Sequence, residues 1–249
     1  MADTVELSPI HFAELVAPAV TRTFVAGMRA GGAAGRELVT SYGGRAVGYL
    51  IDLRNPFAAG RPVTREDLAH VYRYAEPAEL DETVARSVEH GLLTRNADGA
   101  LVPTGRGHEF LRDLFALHGK TLRERWSPLA GAVERLNDVV VRVLAEATAT
   151  AGAAWAVQAP PHEPDGTPPE VLLLNRLSTL RYHRADAHTA AWQAAGLTAA
   201  EMVAMPWSSD WPPVRRAVED ETNVRAGAPY AVLTPDERLR LLADLAALP

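Results

Sequence analysis

The sequence contains no cysteine, and lysine is almost missing as well: among 25 basic residues only Lys120 is a lysine. The lack of cysteine excludes disulfides, thiolate nucleophiles and metal sites built on Cys ligands. No stretch reaches the roughly 20 uninterrupted apolar residues of a membrane-spanning helix. The first eight residues lack the basic start and apolar run of a signal peptide. These absences lead us to expect a cytoplasmic protein.

The composition is that of a folded, acidic protein. Hydrophobic residues make up 47% of the 249 residues, enough for a core in one large domain or two modest ones. The abundance of arginine and alanine is typical of a GC-rich, actinobacterial genome. The formal net charge is −6, whereas a dedicated nucleic-acid binder is more often basic, at least locally.

The first 59 residues predict two helices. Ser8-Pro9 is a favourable helix start, and the apolar residues that follow recur at helical spacing, with Pro18 expected to kink or divide the helix. A second helix is expected from about Ala33 to Leu53, weakened by Gly43-Gly44. We expect Asn55-Pro56 to end it, because a residue before proline avoids the helical conformation.

Residues 60–116 predict the order helix, turn, helix, hairpin, helix. Thr64 and Asp67 form a near capping box before a short helix, and a second helix is expected over about 79–90, ended by Gly91. Two short extended pieces then flank an Asp98-Gly99 turn, which indicates a hairpin. Thr104 caps the next helix. This order is typical of a winged helix.

The segment VARSVEHGLLTRNADGALVPTGRGHEFL resembles the recognition helix and wing of MarR-type winged-helix regulators. The resemblance covers about residues 60–116. It implies a dimer paired through its outer helices, which binds double-stranded DNA and takes a ligand between its dimerisation and DNA-binding parts. That family normally ends soon after the wing, whereas this chain continues for more than 120 residues.

Beyond the wing the sequence predicts further helices. We expect a helix after Ser127-Pro128, an irregular loop over about 150–169, and a long helix over about 169–195 ended by Gly196. Capping boxes at Thr198 and Thr234 predict two later helices, and Pro212-Pro213 starts another between them. The run RYHRADAHTAAWQAAGLT resembles a helical extension of actinobacterial winged-helix proteins. The predicted fold is therefore mainly α, with a small hairpin wing: N-terminal helices for dimerisation or packing (1–59), a winged helix-turn-helix (60–126), and a C-terminal helical domain for ligand binding (127–249).

The predicted recognition helix supplies the candidate DNA contacts, together with arginines beside the wing. These residues are Thr83, Arg86, Ser87, His90, Arg95 and Arg106. Phosphate neutralisation drives much of DNA affinity, yet residues 60–126 carry ten basic and eleven acidic side chains. Acidic residues in a first helical turn also have a structural explanation, because they favour the positive end of the helix dipole.

The long helix supplies the candidate ligand contacts. Arg181, Arg184 and His188 lie on one stripe, with Trp192 one turn further, and Tyr182 belongs to a neighbouring polar stripe with Asn175, Thr179 and Asp186. We take Tyr182, Arg184, His188 and Trp192 as a candidate site for a small organic ligand, anionic or aromatic. Alternatively, Asp186 pairs with His183, Arg181 or Arg184, and the polar stripe faces water or a subunit interface.

Catalytic and cofactor motifs are missing from the sequence. There is no Gly-Xaa-Ser-Xaa-Gly, no P-loop and no His-Glu-Xaa-Xaa-His, so we expect no cofactor and no metal, and the sequence favours a protein that is not an enzyme. His183 with Asp186, and the group His162, Glu163 and Asp165, are weak metal candidates.

Two functions stay open. One is a dimeric, ligand-responsive transcriptional regulator. The other is a winged-helix scaffold that no longer binds DNA and serves specialised metabolism as a binding protein or enzyme, with an acidic recognition face and a deep, tryptophan-lined cavity.

Overall fold

The protein is mainly helical and carries one small antiparallel sheet of two strands, as predicted. A computed structural model describes residues 7–205 and 211–249. The elements are α1 (Pro9–Arg29), α2 (Gly32–Ser41), α3 (Gly48–Asp52), α4 (Arg54–Ala58), α5 (Arg65–Val71), α6 (Pro77–Glu89), β1 (Leu93–Arg95), β2 (Leu101–Pro103), α7 (Gly105–Trp126), α8 (Ala130–Ala147), α9 (Ala153–Gln158), α10 (Pro169–Ala194), α11 (Ala199–Ala204), α12 (Pro213–Gly227) and α13 (Pro235–Ala247). None of the helices in these ranges has the length and apolar character needed to span a bilayer.

Local capping signals place most helix starts where the sequence predicted them. The hydroxyl of Ser8 accepts from the backbone N–H of His11, and that of Thr104 accepts from Gly107. Complete capping boxes are present at Thr64, Thr198 and Thr234. Each cap pairs backbone donors that the first helical turn leaves without a partner.

The predictions that Pro18 divides the first helix and that Asn55-Pro56 stops the second were wrong. Pro18 does not divide α1, which continues from Pro9 to Arg29. Because Pro18 is exposed, water can bond the carbonyl that it leaves without a helical donor. Asn55-Pro56 does not stop a helix but lies inside the first turn of α4. Proline is tolerated there because first-turn N–H groups have no helical acceptor.

The predicted helix over 33–53 is divided into three pieces. α2 ends at Ser41, a 3-10 helix covers Gly44–Val47, and α3 follows. Gly43 has a φ of 110°, and a Cβ there would lie 2.3 Å from the His90 ring. Backbone with this φ favours glycine, so the chain turns at this point.

Two other boundaries differ from the prediction. The helix that Thr104 caps extends to Trp126, beyond the expected residue 116, and a short helix, α9, lies inside the stretch expected to be an irregular loop. The N-terminus of α9 is capped by Asp186 from α10, a partner distant in the chain. The long helix α10 and its end before Gly196 agree with the sequence prediction.

Two large clusters of buried apolar side chains form the core. One joins α1, α8, α10, α12 and α13 and includes Phe12, Trp126 and Leu177. The other joins α3 to α7 with the hairpin and includes Leu50 and Phe110. In the hairpin Thr94 is opposite Val102, and Val63 adds an isolated bridge to Leu101. α10 packs against α1, α7, α8, α9 and α12, so it is enclosed along most of its length.

Two glycines near the start of α7 differ in their surroundings, which gives a matched test of the packing against the hairpin. A Cβ at Gly107 would lie 2.2 Å from the Leu92 carbonyl oxygen, whereas nothing lies within 4 Å of one at Gly105. We expect Gly107→Ala to lower the free energy of unfolding by about 1–3 kcal/mol. Gly105→Ala should be neutral or slightly stabilising. Urea denaturation measures both, and equal effects would contradict this packing.

Candidate ligand cavity

A cavity of about 500 Å³ lies among α1, α10, α12 and the turn between α5 and α6. Much of its wall is aliphatic, from Ala13, Ala17, Val20, Leu180, Met202 and Ala226. Among the described residues the polar wall carries several basic groups and one carboxylate, and it includes Tyr74, Arg181, Arg184, His188, Arg215 and Glu219. The size and the mixture of apolar and convergent polar groups are those of a small-molecule site.

Helical spacing brings the charged groups together. Arg181, Arg184 and His188 lie on one face of α10, at intervals of three and four residues. Arg215 and Glu219 are four residues apart on α12, which packs along α10. Tyr74 comes from the turn between α5 and α6.

Glu219 is the centre of the charge cluster. Its Oε1 lies 2.8 Å from Arg215 Nη2 and 3.3 Å from His188 Nε2, and its Oε2 lies 3.8 Å from Arg184 Nη2. Burial raises the pKa of this carboxyl, but His188, Arg215 and Arg184 together outweigh burial and lower it. Glu219 is therefore ionised at neutral pH.

Tyr74 and His188 join the turn between α5 and α6 to α10. The Tyr74 hydroxyl lies 2.8 Å from His188 Nδ1. Because Nε2 faces the ionised Glu219, the proton of a neutral imidazole belongs on Nε2, and Nδ1 then accepts from Tyr74. The Tyr74 oxygen is then an acceptor. Burial raises the pKa of this phenol, a hydrogen bond with the Trp192 side chain lowers it by less, and the phenol stays protonated.

Asp186 also joins these two parts, through Arg73 in the same turn. It lies 3.3 Å from Arg73 Nη2 and accepts from the backbone N–H groups of Ala154 and Trp155 at 3.2 and 2.8 Å. The expected pairing of Asp186 with His183, Arg181 or Arg184 was wrong. A Cβ at Gly152 would lie 2.7 Å from Asp186 Cγ, so this contact requires glycine there.

The polar stripe beside the cavity does not face water, contrary to one sequence interpretation. Asn175 and Thr179 are fully buried and take part in a network with α4. Arg54 Nε donates to Asn175 Oδ1 at 3.3 Å, and Asn55 Nδ2 donates to Thr179 Oγ1 at 3.3 Å. Burial lowers the pKa of Arg54 to about 10. This network attaches α4 to α10.

Two of the four predicted ligand residues line the cavity. Arg184 and His188 do, whereas Tyr182 and Trp192 are not among its wall residues. Trp192 is instead buried in a small cluster with Met202 and Val218, so its prediction as a ligand contact was wrong. Tyr182 is half-buried, and desolvation together with the nearby Asp52 raises the pKa of its phenol to about 12.

The expected tryptophan lining is not found among the described wall residues. Trp126 and Trp155 are buried in the core, and Trp207 lies outside the described residues. Sequence reasoning missed Tyr74, Arg215 and Glu219 and left Arg181 out of the site. The spacing of Arg215 and Glu219 was a local signal for an ion pair, but nothing local placed that pair beside α10.

The residues predicted to contact DNA differ in their exposure: some are buried and others are exposed. Ser87 is fully buried and donates to the Ala46 carbonyl oxygen at 2.7 Å, so it is unable to contact a base, and that prediction was wrong. Thr83 is half-buried and donates to the Glu79 carbonyl oxygen, and Arg86 is half-buried. His90 is exposed.

The two arginines beside the hairpin are exposed and have local partners. Arg95 donates to the Gly99 carbonyl oxygen at 2.8 Å. Arg106 lies over the Tyr42 ring, 5.1 Å from its centroid, and donates to the Ser41 carbonyl oxygen.

The exposed face of α6 is acidic, with Glu79, Asp81, Glu82 and Glu89. Such a face repels phosphates.

The two weak metal candidates have other partners. His183 Nε2 lies 2.9 Å from the Thr150 hydroxyl oxygen, and Glu163 pairs with Arg176 at 2.6 Å. Across residues 7–205 and 211–249, no group of three or more His, Asp and Glu side chains is arranged to hold a metal ion.

Comparison of the chain with protein-family models, with curated proteins and with solved structures gave no match in any of the three.

Glu219 gives a pH-dependent test of the cavity wall. Its folded pKa lies below the ordinary value of 4.5, so its contribution to stability is present above that pH and is lost as the pH falls through the folded pKa. We expect Glu219→Gln to lower the free energy of unfolding by about 1–3 kcal/mol at neutral pH, with the difference shrinking below about pH 4.

The matched control is Glu221→Gln on the same helix. Glu221 forms a half-exposed pair with Arg225, so its loss should cost less than about 0.5 kcal/mol. Urea titrations at several pH values measure both variants. A Glu219→Gln difference that stays constant with pH would show that the charge of Glu219 does not stabilise the fold.

Proposed function

We propose that the protein binds a small organic molecule in this cavity and that a winged helix-turn-helix unit formed by residues 60–126 responds to the bound molecule. The observation that carries the proposal is the position of Tyr74. It belongs to the turn between the two helices α5 and α6, and it is also part of the cavity wall. A ligand in the cavity would therefore contact the helix-turn-helix directly.

The order of elements supports a winged helix. Two short helices, α5 and α6, are followed by the β1–β2 hairpin and then by α7. Their buried side chains belong to one apolar cluster, which includes Leu68, Val84, Leu101 and Phe110. Helix, turn, helix, hairpin and helix around a shared core is the arrangement expected of that class, and it agrees with the MarR resemblance.

A ligand would act by favouring one position of the turn. Arg73 holds the turn against α10 through Asp186, the Ala185 carbonyl oxygen and the Thr189 hydroxyl. Next to Arg73, the Tyr74 hydroxyl is hydrogen-bonded to His188 Nδ1. A molecule that binds beside Tyr74 with unequal affinity for two positions of the turn shifts their populations. Equal affinity would shift nothing.

Regulation of transcription by a dimer on DNA is one use of such a unit. The exposed Arg95 and Arg106 beside the hairpin favour it, and the acidic face of α6 opposes it. A scaffold that binds the molecule without DNA is the other use, and the acidic face favours that one. Because a fold does not fix a function, a binding measurement has to decide between them.

Hydrogen exchange tests the coupling between the cavity and the turn. We expect saturation with the amphipathic fluorescent probe anilinonaphthalene sulfonate to change the exchange of residues 72–79 in the wild type. Tyr74→Phe keeps the ring but loses the hydroxyl bond to His188, so the same probe should bind and leave exchange in the turn nearly unchanged. Equal changes in both proteins would remove Tyr74 as the coupling residue, and absence of probe binding would contradict the cavity.

Fluorescence anisotropy with the protein's own upstream DNA tests the regulator. At low salt a regulator should bind that DNA at least about 100-fold more tightly than random DNA, and Arg95→Ala should weaken binding by about tenfold or less because a single contact is lost. Arg225→Ala, on α12, is the matched control and should have no effect. Equal affinity for both DNAs would favour the scaffold without DNA.

A further inference from the structure

Arg181 differs from the other two arginines of α10 in having no acidic partner. Arg176 pairs with Glu163, and Arg184 with Glu219, whereas no carboxylate of the described residues lies within 4 Å of Arg181. Its guanidinium lies over the Phe24 ring, 4.4 Å from the centroid, and is part of the cavity wall. Its N–H groups make no hydrogen bond to the described residues and therefore remain available to a ligand.

The surroundings of Arg181 are unfavourable for a cation. Burial lowers its pKa, although Tyr182 and Asp52 oppose that effect. The fully buried Arg54 lies on the same Phe24 ring, 5.4 Å from its centroid. Asp52 accepts a hydrogen bond from the Tyr72 hydroxyl at 2.9 Å and lies beyond ion-pair distance. A partly buried guanidinium without an acidic partner is stabilised when an anion enters and accepts hydrogen bonds from its N–H groups.

The end of the cavity near Tyr74 offers a hydrogen-bond acceptor instead of a cation. When His188 is neutral with its proton on Nε2, which faces Glu219, the Tyr74 hydroxyl donates to Nδ1, and its oxygen keeps a lone pair for a further donor besides Trp192. A ligand group that meets Tyr74 should therefore carry an O–H or N–H donor. His188 lies seven residues after Arg181 on α10, which separates the two ends by roughly 10 Å along the helix.

Part of the cavity wall is aliphatic. Ala17, Val20 and Leu180 line it, together with Ala13 and Ala226. An apolar chain buried there gains about 0.8 kcal/mol for each methylene.

Building on the proposed function, we propose that the ligand is an aliphatic hydroxycarboxylate. Its carboxylate binds Arg181, its chain lies on the aliphatic wall, and its distal hydroxyl donates to Tyr74. Glu219 already pairs with Arg184 and Arg215, which leaves Arg181 as the anchor.

Calorimetric titration with three related probes tests this ligand class: decanol, decanoate and ω-hydroxydecanoate. We expect decanoate to bind the wild type at least tenfold more tightly than decanol, and ω-hydroxydecanoate several-fold more tightly than decanoate. Arg181→Met should weaken decanoate at least tenfold and change decanol by less than twofold, which also shows that the variant is folded. Arg181→Lys should recover part of the loss, since lysine keeps the charge but not the planar fork.

Two further variants provide a control and a test of the Tyr74 end of the ligand. Arg225→Met, a change of an exposed arginine on α12, should leave all three titrations unchanged. Tyr74→Phe should abolish the advantage of ω-hydroxydecanoate over decanoate and leave decanoate unchanged.

Each contrary result has a distinct meaning. Equal binding of decanol and decanoate would overturn the anionic class while the cavity still binds. A larger loss in Arg184→Met than in Arg181→Met would overturn Arg181 as the anchor. Equal binding of decanoate and ω-hydroxydecanoate would overturn the donor to Tyr74. If neither these probes nor anilinonaphthalene sulfonate binds, the proposed function itself fails.

Discussion

The enclosure of α10 is the constraint on which the rest of the structure depends. Helices pack around it on several sides, so many of its polar side chains have to find partners inside the protein rather than in water. Asn175 bonds to Arg54, His183 to Thr150, Asp186 to Arg73, and His188 to Tyr74. These partners come from three separate parts of the chain, so the bonds fix how the chain wraps around α10.

The same bonds connect the two apolar clusters. Arg54 lies on α4 and Arg73 in the turn between α5 and α6, beside the cluster that contains Leu50 and Phe110, and their acceptors lie on α10, which belongs to the other cluster. A buried polar contact contributes less to stability than to a unique arrangement, because a displaced alternative leaves charges without partners. This explains how a molecule beside α10 would influence the turn between α5 and α6.

Sequence reasoning succeeded where the determining interaction was local. Capping residues such as Thr64, Thr104 and Thr234 act within three residues of the helix that they start, and the Asp98-Gly99 turn acts within one hairpin. The predicted helix starts and the hairpin could therefore be read from the sequence.

It failed where the partner was distant in the chain. Asp186 caps α9 from 31 and 32 residues away, so the short helix was taken for a loop. Trp192 shares a helical stripe with Arg184, but it is buried against Met202 and Val218 and is not among the described wall residues. The stripe pattern found Arg184 and His188, whereas Tyr74 and Glu219 required the tertiary structure.

The central claim is that Arg181, which has no acidic partner among the described residues, binds the carboxylate of the ligand. A crystal structure of the protein with ω-bromodecanoate tests it most directly, because the anomalous signal of bromine fixes the direction of the chain. The account predicts a carboxylate oxygen at roughly 2.8 Å from the Arg181 guanidinium and bromine at the end of the cavity near Tyr74. A carboxylate bound to Arg184 or Arg215, with Arg181 untouched, would contradict it.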